Sequence, residues 1–355
     1  MPAIPLHAEW PDPYDGPMRH LIFAACCLLG CKGGDPGPGP NPDPTGGDAQ
    51  SQRTKFQRCT GRAYTLAPDE DWRHSIQTPI VTAAGAPNHS GKDTLVKPGV
   101  ASALPGKFTY GFVSKDLEDE DVLVFLDDCQ GWVPLGRFAT DSDGRISAPA
   151  PTLPIGVYEV RFQVAGDRST TTSFLWVLPA GTRVVVSDID ATLTTNDSEV
   201  FKEIFDGSYI PQTYPNAVEL TKAHDGRGHL VFYMTGRPYW LSPQTRGYLA
   251  SGGFAVGPLR VADSNTDILP TEGSVGAYKL ANLKAMIAAG LVVDFAYGNA
   301  TTDIYAYLGA GIPADHVWII GDHAGEQGTN AVTGDWGARV TEVKALPAVT
   351  QPFDW

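Results

Sequence analysis

From Thr182 onward, short apolar segments alternate with amphipathic ones, and this alternation limits the fold more than any other feature of the chain. The apolar segments are rich in β-branched residues, as buried strands are, and the intervening segments have helical periodicity. Strands that alternate with helices form a parallel sheet with helices on both faces. The predicted strands are Arg183–Ser187, His229–Met234, Leu291–Tyr297 and, as the last one, His316–Ile320, and the predicted helices are Asn216–His224, Pro243–Ser251, Gly276–Ala289 and Thr302–Leu308.

The region from Trp72 to Leu178 has a different pattern, in which short alternating segments are separated by turn residues such as Asp141–Gly144. This pattern predicts an all-β, immunoglobulin-like sandwich. Its acidic run Asp116–Asp121 lacks the ligand spacing of a calcium loop, so a solvated loop is the favoured interpretation. The predicted strands are Lys107–Val113, Asp121–Leu126, Trp132–Phe138, Gly156–Val164 and Thr172–Val177.

The N-terminal region has the features of an export signal. A basic start at Met18 and Arg19 is followed by the apolar stretch LIFAACCLLG and by Cys31. This is the anatomy of a signal peptide over residues 1–31, with Met18 as the expected translation start. The segment Leu28–Cys31 resembles a bacterial lipoprotein cleavage box. That resemblance implies lipidation at Cys31 and an exported, membrane-anchored protein, periplasmic or at the cell surface.

The segment after Cys31 is rich in glycine and proline and lacks apolar periodicity, which predicts a disordered linker over residues 32–71. The β-sandwich is then expected over residues 72–180 and the α/β domain over residues 181–355. Cys59 and Cys129 are available for a disulfide in an exported protein, and the sequence leaves open whether they pair.

Composition excludes some partners. The formal net charge of −14 argues against electrostatic binding of nucleic acid and against a polybasic membrane-binding patch. No apolar run approaches the roughly 20 residues that span a bilayer. An anionic substrate therefore requires a local cation or a bound metal.

Polar residues cluster at the ends of the predicted parallel strands. Ligands of such sheets bind at the C-terminal ends of the strands, near the point where the strand order reverses. The first predicted strand runs through VVVSDIDATLT and ends in two carboxylates with one apolar residue between them. The candidate site residues are Asp188, Asp190, Thr235, Gly236, Arg237, Lys279, Asn299 and Asp303.

These residue types match the needs of phosphoryl transfer. A phosphomonoester dianion repels a carboxylate, so a hard cation such as Mg²⁺ has to neutralise it. One carboxylate can then attack phosphorus, and a second can protonate the leaving group. Thr235 and Lys279 are the available donors for the phosphoryl oxygens. Purely structural roles remain open for three of these residues: Thr235 as a helix cap, Arg237 in an ion pair, and Asp303 as an N-terminal helix acid.

The segment Asp188-Ile189-Asp190-Ala191-Thr192 resembles the nucleophile motif of the haloacid dehalogenase (HAD) superfamily, and Thr235, Lys279 and the Gly298–Asp303 segment resemble its other three motifs. More narrowly, SDIDATLT, FYMTGRP, AYKLANL and YGNATTDIYAYLGAGIP resemble the catalytic domain of lipin-type phosphatidate phosphatases. The resemblance covers roughly Thr182 to Ile320. It implies a HAD-like, Rossmannoid sheet with a β-sandwich partner.

The resemblance also implies roles for individual residues. Asp188 is expected to be the nucleophile and a Mg²⁺ ligand, and Asp190 the acid/base with its backbone carbonyl on the metal. Asn299 and Asp303 complete the expected metal site. Thr235, Gly236, Arg237 and Lys279 are expected to bind the substrate phosphate.

The sequence therefore predicts a Mg²⁺-dependent phosphatidate phosphatase that works through an aspartyl-phosphate. Two alternatives stay open. One is a module that binds phosphatidate without hydrolysing it, and the other is a phosphatase of a different phosphomonoester.

Overall fold

The computed structural model describes residues 54–111, 114–196, 210–263 and 272–355. The description below concerns the compact unit Thr54–Trp355. The predicted signal peptide and Cys31 lie outside the described residues. They stay predictions.

The N-terminal part of the described unit is a β-sandwich. One sheet has six strands in the order β3-β11-β10-β7-β8, with β1 paired in parallel to β10. The facing sheet has three antiparallel strands in the order β2-β4-β9, and β5 and β6 form a separate antiparallel pair. The strand bounds are β1 Gln57–Cys59, β2 Ser90–Gly91, β3 Thr94–Val96, β4 Ser102–Lys107, β5 Thr109–Tyr110, β6 Lys115–Asp116, β7 Asp121–Asp127, β8 Trp132–Ala139, β9 Arg145–Ala150, β10 Gly156–Val164 and β11 Thr170–Val177.

Alternation of side chains along these strands builds the sandwich core. In β7, Val122, Val124 and Leu126 are buried and lie in one cluster with Leu104 of β4 and Ile146 of β9. Residues two apart on a strand point to the same face, so every second side chain can pack between the two sheets.

The predicted linker ends earlier than expected. Residues Gln57–Cys59 pair with β10, and Phe56 packs in a buried cluster, so residues from about 54 onward belong to the folded unit. The prediction of a linker up to residue 71 was therefore wrong at its C-terminal end. The prediction rested on composition, and no turn signal in the sequence marks the start of β1. Cys59, at the end of β1, forms a disulfide with Cys129 in the β7–β8 turn.

A short helix, α1 Gln77–Thr82, lies in the sandwich region. The remaining helices belong to the second part of the unit, which has a six-stranded, all-parallel sheet in the order β14-β13-β12-β15-β16-β17. The bounds are β12 Arg183–Ser187, α2 Ala217–Asp225, β13 Leu230–Pro238, α3 Ser242–Ser251, β14 Leu259–Ala262, α4 Ala277–Ala288, β15 Val292–Gly298, α5 Thr301–Gly309, β16 Val317–Ile320, β17 Asn330–Val332 and α6 Gly337–Ala345.

The strand order places the switch point at β12. The chain runs outward from β12 through β13 to β14, and then returns to the other side of β12 for β15, β16 and β17. Val184 and Val186 of β12 face a cluster that contains Leu283 of α4 and Ile304 of α5. Val185 faces the opposite cluster with helices α2 and α6. The mixed architecture of β-sandwich and parallel-sheet α/β part is as predicted.

Three elements of the parallel-sheet part were not predicted. The segments that form strand β14, strand β17 and helix α6 have no clear periodicity. The two strands have only four and three residues. The prediction that His316–Ile320 holds the last strand was wrong, because β17 pairs with β16 beyond it.

The two parts share one apolar core. Phe56, Val157 and Trp176 of the sandwich lie in the same buried cluster as Val184 and Val186 of β12. The sandwich is therefore packed against the parallel sheet rather than tethered to it.

Candidate functional site

The candidate site lies at the C-terminal ends of three neighbouring parallel strands. Asp188 directly follows β12, Thr235 lies near the end of β13, and Asn299 directly follows β15. Because β13 and β15 flank β12, the three residues lie at the switch point of the sheet. Helix α4 supplies Lys279 and helix α5 supplies Asp303.

Lys279 joins two of the acids. Its Nζ lies 2.5 Å from Oδ1 of Asp188 and 2.7 Å from Oδ1 of Asp303. All three side chains are buried, with Asp303 and Lys279 exposing 0% and 3% of their surface. A buried charge needs a partner, and here one ammonium serves two carboxylates. The three residues form what we call the lysine triad.

Burial and charge act in opposite directions within the lysine triad. Burial raises the pKa of the Asp188 carboxyl above its ordinary value, against the attraction of the Lys279 ammonium. Burial alone would lower the pKa of Lys279, but the charges of Asp188 and Asp303 outweigh it and raise that pKa. Lys279 is therefore held as a cation at the point where an anion would arrive.

Asp303 is a positioning residue in this geometry. Its Oδ1 accepts from Lys279, and its Oδ2 accepts from the backbone N–H groups of Asn299 and Ala300 at the start of α5. Both oxygens are thus engaged by donors of the chain itself. This is the geometry of an N-terminal helix acid, and the role of Asp303 in the first or second shell of a metal stays a prediction. A Cβ at Gly298 would lie 2.6 Å from the Asp303 Cβ, so this close approach requires glycine.

Asp190 has a second set of partners. Nε of Arg237 lies 3.0 and 3.1 Å from its two carboxylate oxygens, and the Thr235 hydroxyl donates to Oδ2 at 2.8 Å. Arg237 is 3% exposed and also donates to the Thr245 hydroxyl. The sequence left open whether Arg237 pairs with an acid or with phosphate, and the structure shows the pairing with Asp190.

Thr192 connects the nucleophile candidate to Asn299. Its hydroxyl lies 3.0 Å from Asp188 Oδ2 and 3.2 Å from Asn299 Oδ1. Sequence reasoning used Thr192 only as part of the motif and did not assign it a contact. The tight turn between Asp190 and Thr192 places Ala191 at a φ of 51°, in the left-handed region that favours glycine.

The donor set fits a hard divalent cation with few protein ligands. Asp188 Oδ2 and Asn299 Oδ1 converge on the Thr192 hydroxyl, and carboxylate and amide oxygens are ligands of Mg²⁺. Mg²⁺ usually keeps several waters and is held by one or two carboxylates together with substrate phosphates. Within the described ranges, no group of three or more His, Cys, Asp and Glu residues is arranged to hold a metal.

Gly236 lies in β13 between Thr235 and Arg237, which both donate hydrogen bonds to Asp190. An added Cβ at this position would lie 3.2 Å from side-chain carbons of Val275, so little room remains for a larger residue. The structure thus brings the eight predicted site residues to one edge of the sheet. Thr245, which bonds to Arg237, was not predicted, since a threonine within a helix carries no motif signal.

The protein thus combines a β-sandwich with a parallel-sheet part, and the parallel-sheet part carries a buried site of acids and a lysine. Comparison with family models agrees in both regions. Residues 185–321 match the model described as the LNS2 domain of PITM 1-3, and residues 87–177 match the model of the PITM 1-3 beta-sandwich domain.

Several curated proteins are similar to the chain. Human membrane-associated phosphatidylinositol transfer protein 3 is 30% identical over 264 residues, which are 72% of this chain and 25% of that protein. The Drosophila melanogaster protein retinal degeneration B is 29% identical over 266 residues, 72% of this chain and 20% of that protein. The chain therefore spans a quarter or less of the length of these two relatives.

Solved structures resemble the chain more distantly. A putative HAD-like phosphatase from Mesorhizobium loti has 14% identity and a TM-score of 0.35, over 57% of this chain and all of that one. A β-glucuronidase from Ruminococcus gnavus has 10% identity and a TM-score of 0.26, over 67% of this chain and 44% of that one. In the part of the chain that the structure describes, no helix is long and apolar enough to cross a membrane.

Replacement of Lys279 by methionine tests the lysine triad. The change leaves two buried carboxylates without their cation, so we expect the free energy of unfolding to fall by about 3–5 kcal/mol. The triple variant Asp188→Asn, Lys279→Met, Asp303→Asn removes all three charges and should recover much of that loss. Urea titration measures both, with Lys284→Met on the exposed face of α4 as control. Equal stability of Lys279→Met and wild type would contradict the prediction.

Proposed function

We propose that the chain is a Mg²⁺-dependent phosphatase that hydrolyses the phosphomonoester of a phospholipid, with phosphatidate as the substrate. The observation that carries this proposal is the lysine triad at the switch point, beside Asp190 and the Thr235 hydroxyl. A carboxylate, an ammonium, a hydroxyl and a second acid are the groups that a two-step transfer through an aspartate requires.

The proposed reaction has two steps. In the first, an Asp188 carboxylate oxygen forms a bond to phosphorus while the ester P–O bond breaks, and Asp190 gives its proton to the leaving alkoxide. In the second, Asp190 takes a proton from water, whose oxygen attacks phosphorus and releases inorganic phosphate and the Asp188 carboxylate. Lys279 and the Thr235 hydroxyl stabilise the charge on the transferring oxygens.

Asp188 and Asn299 are the residues that would hold Mg²⁺. When bound, the ion reduces the repulsion between the carboxylate and the phosphate dianion. The phospholipid class is supported by relatives that are named membrane-associated phosphatidylinositol transfer proteins and match 72% of this chain.

A second candidate function is phosphatidate binding without turnover. The observation that favours it is the ion pair of Arg237 with both oxygens of Asp190. While Arg237 and the Thr235 hydroxyl hold both oxygens of Asp190, that carboxyl is not free to reach a leaving group. Turnover requires the incoming phosphate to compete for Arg237 and release Asp190.

Release of inorganic phosphate separates the two candidates. With Mg²⁺, wild-type protein should release phosphate from phosphatidate in mixed micelles, and EDTA should stop the release. Asp188→Asn should reduce the rate to background, and Asp190→Asn should reduce it about a hundredfold or more. Asp322→Asn, an exposed acid that follows β16 on the same sheet edge, is the matched control.

A panel of soluble phosphomonoesters tests the substrate class in the same assay. Hydrolysis of a soluble ester in preference to phosphatidate would contradict the lipid substrate and keep the phosphatase. No phosphate from any ester, together with vesicle binding that survives in Asp188→Asn, would contradict the phosphatase and favour the binding module.

We also propose that the protein is an exported lipoprotein anchored through Cys31. The signal-like segment before Cys31 supports this, and so does the Cys59–Cys129 disulfide, because disulfides persist in oxidising compartments. In bacterial cells, the wild-type protein should incorporate labelled palmitate and sediment with membranes, and Cys31→Ser should lose the label. Equal labelling of the two proteins would refute the anchor.

A further inference from the structure

A group of charged side chains lies where the sandwich meets the parallel sheet, apart from the lysine triad. Its members come from the β2–β3 segment, from β9, from α3 and from the end of β14. We call it the seam cluster, and it consists of Lys92, Asp93, Arg145, Arg246, Arg260 and Asp263.

Asp93 is the buried centre of the seam cluster. It is 1% exposed, and its carboxylate accepts from Arg246 at 2.6 Å and from the backbone N–H groups of Phe174 and Leu259. Arg260 donates to the Asp93 backbone carbonyl. The charge of Asp93 is therefore used by Arg246 and by backbone donors of both parts of the protein.

Asp263 serves the outer side of the seam cluster. Both of its carboxylate oxygens accept from Lys92, at 2.8 and 2.6 Å, and its backbone carbonyl accepts from Arg145. About a third of the Lys92 side chain and almost half of the Asp263 side chain are exposed. This side of the cluster is accessible from solvent.

The seam cluster has more positive than negative charge. Four cations face two carboxylates, and neither Arg145 nor Arg260 forms an ion pair within the described residues. Each donates to a backbone carbonyl instead. The Nε of Arg246 is also buried without a hydrogen-bond partner in this part of the chain. Partly buried cations that outnumber their counter-charges are costly unless a further anion joins them.

The neighbouring cations of the seam cluster affect the pKa of Lys92. Burial lowers the pKa of Lys92, and repulsion from Arg260 and Arg145 acts in the same direction, against the pull of Asp263. The ammonium and the two guanidinium groups are therefore close enough to destabilise one another.

The seam cluster lies on the same sheet edge as the candidate site. Arg260 is in β14, and Asp263 directly follows that strand. The last residues of β13 and β14, Pro238 and Ala262, are paired in register, and Pro238 is next to Arg237. An anion at the seam cluster would thus lie one strand away from the groups that hold Asp190.

We infer that the seam cluster is a second anion-binding site, which takes a phosphate group through Lys92, Arg145 and Arg260. Arginine forks and an ammonium are the groups that bind phosphate oxygens in proteins. The phosphate can belong to an anionic phospholipid at a membrane surface or to a soluble phosphate ester. The site does not require turnover at Asp188.

Binding to vesicles tests the site without hydrolysis when EDTA is present. The full chain should bind phosphatidylcholine vesicles that contain phosphatidate more tightly than phosphatidylcholine alone, with an affinity that falls as salt rises. Lys92→Gln/Arg145→Gln should lower that affinity about 10- to 30-fold, since each basic residue contributes about one kcal/mol at an anionic surface. Lys92→Arg/Arg145→Lys keeps both charges and should bind like wild type.

Two further variants test whether a loss of affinity is specific to the seam cluster. Lys115→Gln/Lys284→Gln removes two exposed cations, one from each part of the protein, and should change the affinity less than threefold. The single change Arg145→Gln removes a guanidinium that donates to a backbone carbonyl and has no ion pair within the described residues, so the variant should fold and show part of the loss.

Glycerol 3-phosphate distinguishes the source of the phosphate group. A rise of the unfolding temperature in wild type that is lost in Lys92→Gln/Arg145→Gln would show that a soluble ester suffices. A loss seen with vesicles alone would assign the site to a lipid headgroup. Equal affinities of the charge-removing and charge-keeping pairs for vesicles and for the ester would overturn the inference. Failure of phosphate release would leave this outcome unchanged, because both assays contain EDTA.

Discussion

The contact of one buried ammonium with two carboxylates is the interaction on which the rest of the site depends. Lys279 is fixed by Asp303, and Asp303 is fixed by backbone donors at the start of α5 and by the glycine at 298. The cation therefore meets Asp188 in a defined place at the switch point of the sheet. Such an arrangement is costly to bury, and buried charged groups with shifted pKa values are typical of functional sites.

Asp190 is controlled by a different neighbour. Asp188 and Asp190 are two residues apart, yet one pairs with a lysine and the other with Arg237 and Thr235. Ile189 between them is fully buried, so the two carboxylates are held separately by the core. The proposed turnover therefore requires that phosphate displaces Asp190 from Arg237.

Much of the parallel-sheet part was predictable because its signals are local. The Val184–Val186 run, the acid pair and the helix with Lys279 are each contained in one segment. Short strands such as β14 and β17 carry too few residues for a periodic signal. The seam cluster was not predictable at all: Lys92 and Asp263 are 171 residues apart and meet only through the packing of the two parts. The pairing of Arg237 likewise depends on side-chain direction, which a motif does not contain.

The most direct test of this account is whether a phosphoryl group becomes attached to Asp188. The protein is incubated with Mg²⁺ and phosphatidate labelled in its phosphate, quenched with acid and examined for label that hydroxylamine removes. We predict labelled wild-type protein, with the label on the peptide that contains Asp188, and no label on Asp188→Asn. Phosphate release without any label on the wild-type protein, or equal labelling of the variant, would contradict the account.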